Sequence, residues 1–261
     1  MRVALCLAAA TLVVVPFAAA SRNGPEPFKP VHRVLQWEQT RALRIALRKG
    51  EPIYCGGGNA NVVALTFDDG PGPYTAQLLS MLQGAGAHAT FFLIGNRVQY
   101  WPETARDEAR LGAVGNHSWS HPRLTHLPRW LVWAELLRTQ YTVSQSLGWK
   151  PRMFRAPYEL HDAQTDSIAR SLGLLQVFWS AISGDDRAHP TAKSVARNVI
   201  GDLHPGAIVL LHDIHPWTIA AMPAILAAAQ ARGIRLVSVP ELLVLDPPGT
   251  HQHCAFAPGG D

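Results

Sequence analysis

The sequence predicts a single α/β domain built on a parallel sheet, and three observations predict it. From residue 61 onward, short β-rich apolar runs alternate with longer segments of helical periodicity. Hydrophobic residues make up 48% of the chain against 16% charged, enough to fill one sizeable interior. The length of 261 residues suits one large domain with short flanks and leaves little room for a second core. An open doubly wound sheet and a closed barrel satisfy this periodicity equally well. Both place functional side chains at the carboxyl ends of the strands, so the loops after the strands are where chemistry is sought.

Arg2, an apolar run from Val3 to Phe17 and Ala18-Ala19-Ala20 open the chain. Residues 1–20 therefore read as a secretory signal peptide cleaved after Ala20. The alternative is a membrane anchor, but the run is shorter than the ~20 apolar residues of a span. No stable membrane span is expected after cleavage, and the mature protein is expected outside the cell or in the periplasm or cell envelope. Losing Arg2 lowers the formal charge from +4 to about +3. No run of five or more Lys/Arg occurs and acids are interspersed with bases, so nucleic acid is not an expected partner. A monomer is expected.

Residues 21–58 carry Pro25, Pro27, Pro30 and Gly56-Gly57-Gly58 around one amphipathic stretch from Val31 to Lys49, and read as an N-terminal linker with one helix. The domain proper runs from 59 to 246, with a C-terminal tail over 247–261. Cys6 leaves with the signal peptide. Cys55 and Cys254 remain, and export permits them to pair. Such a disulfide would clasp the chain ends and contribute about 4–5 kcal/mol through loop entropy. Two separate buried thiols are the alternative.

The expected strands are Val62–Phe67, Thr90–Ile94, Ala113–Asn116, Met153–Arg155, Gln176–Trp179, Ala207–Leu211 and Arg235–Ser238. Helical stretches near Thr75–Gln83, Pro102–Arg110, Arg129–Leu147, Asp162–Leu172, Thr191–Leu203 and Trp217–Ala231 lie between them. No glycine-rich dinucleotide fingerprint follows the first strand. Instead come Asp68-Asp69-Gly70-Pro71, whose carboxylates disfavour a phosphate.

Each strand end offers one modest signal. In Thr66–Pro71, one carboxylate can ligate a cation while its neighbour acts as a base on water. Alone, it is more readily an acidic turn with a capping Asp. In His117–Pro122, two imidazoles four residues apart can converge on one metal, and Asp69 would complete a two-His, one-carboxylate set. Alone, such histidines are more often solvated. In Phe154–Glu159, Arg155 can orient a carboxylate, although alone it is more readily structural, and in Leu210–Asp213, His212 is a candidate general acid, or as well a second metal ligand or a structural histidine. All four segments fall at carboxyl ends of strands in one parallel array, which puts them on one rim.

The motifs TFDDGP (66–71), HSWSH (117–121), RAPY (155–158) and LLHD (210–213), in this order, resemble those of the polysaccharide deacetylases, the NodB-homology domain of carbohydrate esterase family 4. The similarity runs over roughly residues 59–245. It implies a distorted (β/α)7 barrel of parallel strands and a divalent metal, usually zinc, with cobalt or another divalent ion acceptable, on Asp69, His117 and His121. It further implies Asp68 as general base held by Arg155, His212 as general acid, and the backbone N–H of Tyr158 as an oxyanion donor. Leu210 is expected to line the pocket for the acetyl methyl.

Two departures stand out. Relatives carry Gly where Glu159 follows the aromatic of the third motif, and Glu resists backbone angles that Gly accepts. The fourth motif normally ends in Asp-Trp, whereas here Asp185 is followed by Asp186, so Asp185 is expected to tune His212 and the acetyl pocket is expected to be more open or polar. The implied activity is hydrolysis of acetyl groups, N- before O-acetyl, on an extracellular polysaccharide such as chitin, peptidoglycan or xylan. A catalytically weak glycan-binding homologue and an amidohydrolase of small amides are the alternatives. Tyr74, Trp101, Trp119 and Tyr158 are candidate sugar platforms, and equally candidate core or rim residues.

Overall fold

The computed structural model describes residues 36–249 together with Gln252 and Cys254. The signal peptide, the first part of the linker and the rest of the C-terminal tail lie outside the described residues. Strand β1 (Val62–Asp68) is the hub of a wholly parallel sheet. On one side it pairs with β7 (Ile208–His212), from Ala64 opposite Ile208 to Asp68 opposite His212. On the other side its carboxyl half pairs with β2 (Thr90–Leu93) and its amino half with β8 (Arg235–Val237). The ladder continues from β2 to β3 (Ala113–Asn116), β4 (Met153–Phe154) and β5 (Leu175–Gln176), while β6 (Ala181–Ile182) pairs with β7.

Of the segment expected as one strand over Gln176–Trp179, only Gln176 belongs to a strand, β5, and the chain then passes on to β6, because it changes partners. Val177 N–H donates to the Phe154 carbonyl at the end of β4 at 2.9 Å, and Ser180 N–H donates to the Ile208 carbonyl on β7 at 3.0 Å. This run thus joins the two ends of the curled sheet. The distorted parallel barrel is found, with eight short strands in place of seven.

The helices are α1 (Gln36–Lys49), α2 (Thr75–Gly84), α3 (Gly95–Tyr100), α4 (Pro102–Leu111), α5 (Arg129–Leu147), α6 (Ala163–Ser171), α7 (Ala192–Gly201), α8 (Pro216–Ala231) and α9 (Val239–Leu245). Two expected start residues are caps. Asp162 accepts from Thr165 N–H at 2.8 Å before α6, and Thr191 forms a capping box with Ser194 before α7. The short α3 and α9, of 6 and 7 residues, fall below the length at which helical periodicity shows.

All of β1 is buried, so its sequence is a nearly continuous apolar run. Val63, Leu65 and Phe67 face outward, in one cluster with Leu78 of α2, Ala105 of α4, Val199 of α7 and Ile225 of α8. Val62 and Ala64 face inward with Phe92, Met153 and Val177. The two-residue period then puts Thr66 and Asp68 on the inner face, at the mouth of the barrel, and leaves Asp69 as the first residue past the strand.

Residues read as the end of the linker are stitched to the barrel. Ile53 forms a parallel bridge with Val177, and Gly56 N–H donates to the Gly206 carbonyl at 2.8 Å. Cys55 and Cys254 form a disulfide. Next to it, Gln252 accepts from Tyr54 N–H at 2.8 Å and donates to the Pro52 carbonyl at 2.6 Å. Among the described residues no helix is long and apolar enough to cross a membrane.

Candidate active site

The barrel mouth is organised by Arg155, which follows β4 and is fully buried. Its Nε donates to the Val177 carbonyl at 3.0 Å and one terminal nitrogen to the Phe178 carbonyl at 2.9 Å. The other terminal nitrogen reaches Thr66 Oγ1 and Asp68 Oδ1, both at 2.8 Å. The guanidinium carbon also lies 4.2 Å from the centroid of the Phe92 ring. A buried cation is tolerated only when its donors are engaged in this way. Burial pushes Asp68 above the ordinary carboxylate range while the Arg155 charge opposes it. A raised pKa makes Asp68 a better proton acceptor.

Asp69, His117 and His121 come together just outside. One ligand atom from each lies within 4.8 Å of the others. Asp69 Oδ1 is 3.5 Å from His117 Nε2 and 3.3 Å from His121 Nε2. Burial lowers the His117 pKa to about 3, so its imidazole is neutral. Its Nδ1 lies 2.8 Å from the Arg155 carbonyl, an acceptor only, which fixes the proton on Nδ1 and leaves the Nε2 lone pair facing Asp69. Asp69 Oδ1 is buried without a hydrogen-bond partner. A carboxylate oxygen of that kind, facing two imidazole nitrogens, fits a divalent cation of borderline character such as zinc.

His212 ends β7 directly opposite Asp68, so their side chains share the inner face. His212 Nδ1 bonds Asp185 Oδ1 at 2.8 Å, and Asp185 Oδ2 accepts from His212 N–H at 2.8 Å and from Thr218 Oγ1 at 2.6 Å. Burial lowers the His212 pKa, but the Asp185 bond and charge outweigh it and raise it to about 9. The ring is therefore protonated at neutral pH. Leu210, two residues earlier, faces the same interior and is buried.

Tyr158 and Glu159 both adopt left-handed backbone, at φ 61° and 59°. The Gly-to-Glu departure thus falls at a position where glycine would be unstrained. The Tyr158 ring is 55% exposed, stands edge-on to His121 at 4.6 Å and lies beneath Arg123 at 5.4 Å. Trp119 is half-buried under Arg138, Trp101 sits between α3 and α4, and Tyr74 is half-buried with its ring packed against the core. Asp186 is exposed, but an indole is still present: Trp217 stacks on His215 at 4.8 Å and donates to the Asp185 carbonyl at 2.8 Å. Sequence reasoning missed Trp217, Thr218 and Thr66. Thr66 lies inside TFDDGP without a role of its own there, no motif marks Trp217 or Thr218, and only their place on the inner face of β1 or at the head of α8 reveals them.

A curled parallel sheet with an Asp-His-His cluster flanked by a buried Asp-Arg pair and an Asp-His pair defines the polysaccharide deacetylase class. The sequence profile of the family described as polysaccharide deacetylase matches residues 56–177. The chain is 33% identical over 226 residues to the peptidoglycan-N-acetylmuramic acid deacetylase PdaC of Bacillus subtilis, covering 86% of this chain and 45% of PdaC. It is also 33% identical over 200 residues to a peptidoglycan-N-acetylglucosamine deacetylase of Bacillus cereus, covering 73% of each. The solved PdaC structure superposes with a TM-score of 0.66 at 35% identity, covering 71% of this chain and 91% of that one. The chain belongs to the polysaccharide deacetylase family. It spans under half the length of the full PdaC sequence.

Proposed function

We propose that the protein is a metal-dependent hydrolase that removes N-acetyl groups from a polysaccharide of the cell envelope, peptidoglycan first among them. Convergence of Asp69, His117 and His121 between a buried carboxylate and a protonated imidazole carries this reading. The names of the B. subtilis and B. cereus relatives support peptidoglycan as the substrate class, and the signal-like N-terminus supports action outside the membrane.

A divalent ion on Asp69, His117 and His121, zinc by the chemistry of the donor set, would polarise the acetyl carbonyl and acidify an attacking water. Asp68, kept in place by Arg155 and with its pKa raised by burial, takes the proton from that water. The Tyr158 N–H stabilises the oxyanion that develops. His212, charged at neutral pH, gives its Nε2 proton to the departing sugar nitrogen while Asp185 holds the ring through Nδ1. Leu210 accommodates the methyl.

The test is acetate release by the zinc-loaded chain from peptidoglycan, chitooligosaccharides and acetylated xylan, with metal analysis of the same sample. Turnover of an N-acetylated glycan that vanishes on chelation and returns with zinc is expected. Glycan binding without turnover, unchanged by Asp68→Asn, would point to a binding homologue instead.

A further inference from the structure

The loop between the two histidines has an improbable backbone. Ser118 and His121 both sit in the left-handed region, at φ 63° and 58°, which non-glycine residues keep only when their surroundings over-determine it. Part of the restraint is internal. Asn116 Oδ1 accepts from Ser118 N–H at 2.9 Å, and Ser118 Oγ accepts from His121 N–H at 3.0 Å. The consecutive N–H groups of Trp119 and Ser120 are engaged from outside the loop, both by Oε2 of Glu135 on α5 at 2.8 Å. Ser120 Oγ adds a third bond, to Oε1, at 2.9 Å.

Successive N–H groups converging on one point form an anion-binding concavity. Here the anion belongs to the protein. The helix that carries it is rigidly seated, with Val132, Leu136, Thr139 and Val143 buried on its core side. One turn further on, Arg138 lies 3.7 Å from the Trp119 ring centroid, so the same helix also covers the loop's side chain.

We infer that Glu135 is a positioning residue for the metal site: its carboxylate locks the loop in the conformation that aims His117 and His121 together at Asp69. The inference rests on the metal-dependent reading above. Glu135 touches neither the reacting atoms nor the three ligand atoms. It acts through main chain, and bonds to a charged acceptor are the stronger kind. Losing it lets Ser118 and His121 relax out of the left-handed region, and His121, which has no buried strand beneath it, swings away first. His117 stays, because the Arg155 carbonyl holds its other nitrogen.

The test measures zinc affinity of the full chain by competition with a chromophoric chelator, alongside thermal melting of the metal-free protein. Glu135→Ala is expected to weaken zinc binding by about 10–100-fold, the range for partners that orient metal ligands. Glu135→Gln, isosteric but uncharged, should fall between wild type and Ala, and turnover of this variant should recover at saturating zinc. Gln145→Ala, exposed on the same helix, should leave affinity unchanged. Metal-free melting of Glu135→Gln should stay within a few degrees of wild type. Unchanged zinc affinity in the Ala and Gln variants would overturn the inference. So would a loss of affinity matched by collapse of the metal-free fold in both, which is what a merely structural role gives. Wild-type protein that binds no zinc would instead defeat the metal reading itself.

Discussion

His212 and Asp213 are neighbours at the end of β7, yet they belong to two buried polar regions that behave oppositely. On the His212 side every oxygen of Asp185 has a partner: His212 Nδ1, the His212 N–H, Thr218 and Ser183. Burial pushes Asp185 up, but these bonds and the His212 charge overcome it and hold the carboxylate below its ordinary range. On the Asp213 side, Asp213 accepts from Thr75 Oγ1 through one oxygen only. Its Oδ1 and both oxygens of fully buried Glu108 lack partners. Burial raises Asp213 to about 7 and Glu108 well above the usual carboxylate range. Equal burial therefore goes with a lowered carboxylate pKa on one side and raised ones on the other; desolvation sets the cost, and partners decide the sign.

The two regions also have different tasks. Asp185 sets the charge of His212, the proposed general acid. Glu108 and Asp213 sit behind the Asp69–Gly70 turn, where a Cβ at residue 70 would lie 2.9 Å from both Asp213 oxygens and 3.1 Å from Glu108 Oε1. That crowding explains the glycine of the first motif.

The largest expected effect breaks the paired side at its far member: Asp68→Asn should lower kcat by about 10²–10⁴-fold, the usual contribution of a general base, in steady-state acetate release. Next, Asp185→Asn should move the alkaline limb of the pH–rate profile. His212 must be protonated to act, so activity falls as pH rises through its pKa of about 9. Without the Asp185 charge that limb should shift down toward the ordinary histidine value of about 6.5, and a limb that stays in place would dissolve the contrast drawn above.

The unpaired side is tested through stability. A carboxyl whose folded pKa is raised contributes stability that is fully present below its unfolded value and is lost as pH rises through the folded value. Glu108→Gln removes that loss. Relative to wild type its stability should rise by about 1–3 kcal/mol between pH 4 and pH 7–8 in urea titrations, on the scale of ~1.4 kcal/mol per unit of pKa difference. The smallest effect is expected at Glu159→Gly, where relief of a left-handed φ, less the entropy of glycine, should add about 0.5–1 kcal/mol. Differential scanning calorimetry would register it as a rise of a few degrees in Tm.

Much of this was legible beforehand for reasons tied to particular residues. The run Val62–Phe67 is apolar throughout because β1 is buried on both faces, and Asp162 and Thr191 announce helix starts because side chains must satisfy the first N–H groups there. The split of β5 from β6 was not legible, since hydrophobicity does not encode which neighbour a strand pairs with. Nor was the half-buried packing of Tyr74 against the core, which depends on its neighbours in the fold.

By itself the sequence determined the alternation of strands and helices, the order of the motifs and the residue types at each strand end, because these depend on local periodicity and chemistry. The tertiary structure decided the rest. It chose which carboxylate goes inward to Arg155 and which outward to the histidines, it supplied Trp217 and Thr218 to Asp185 from a distant helix, and it left both oxygens of Glu108 and one of Asp213 unpartnered behind the turn. Burial and partnership are properties of packing between segments far apart in the chain, and no local pattern records them.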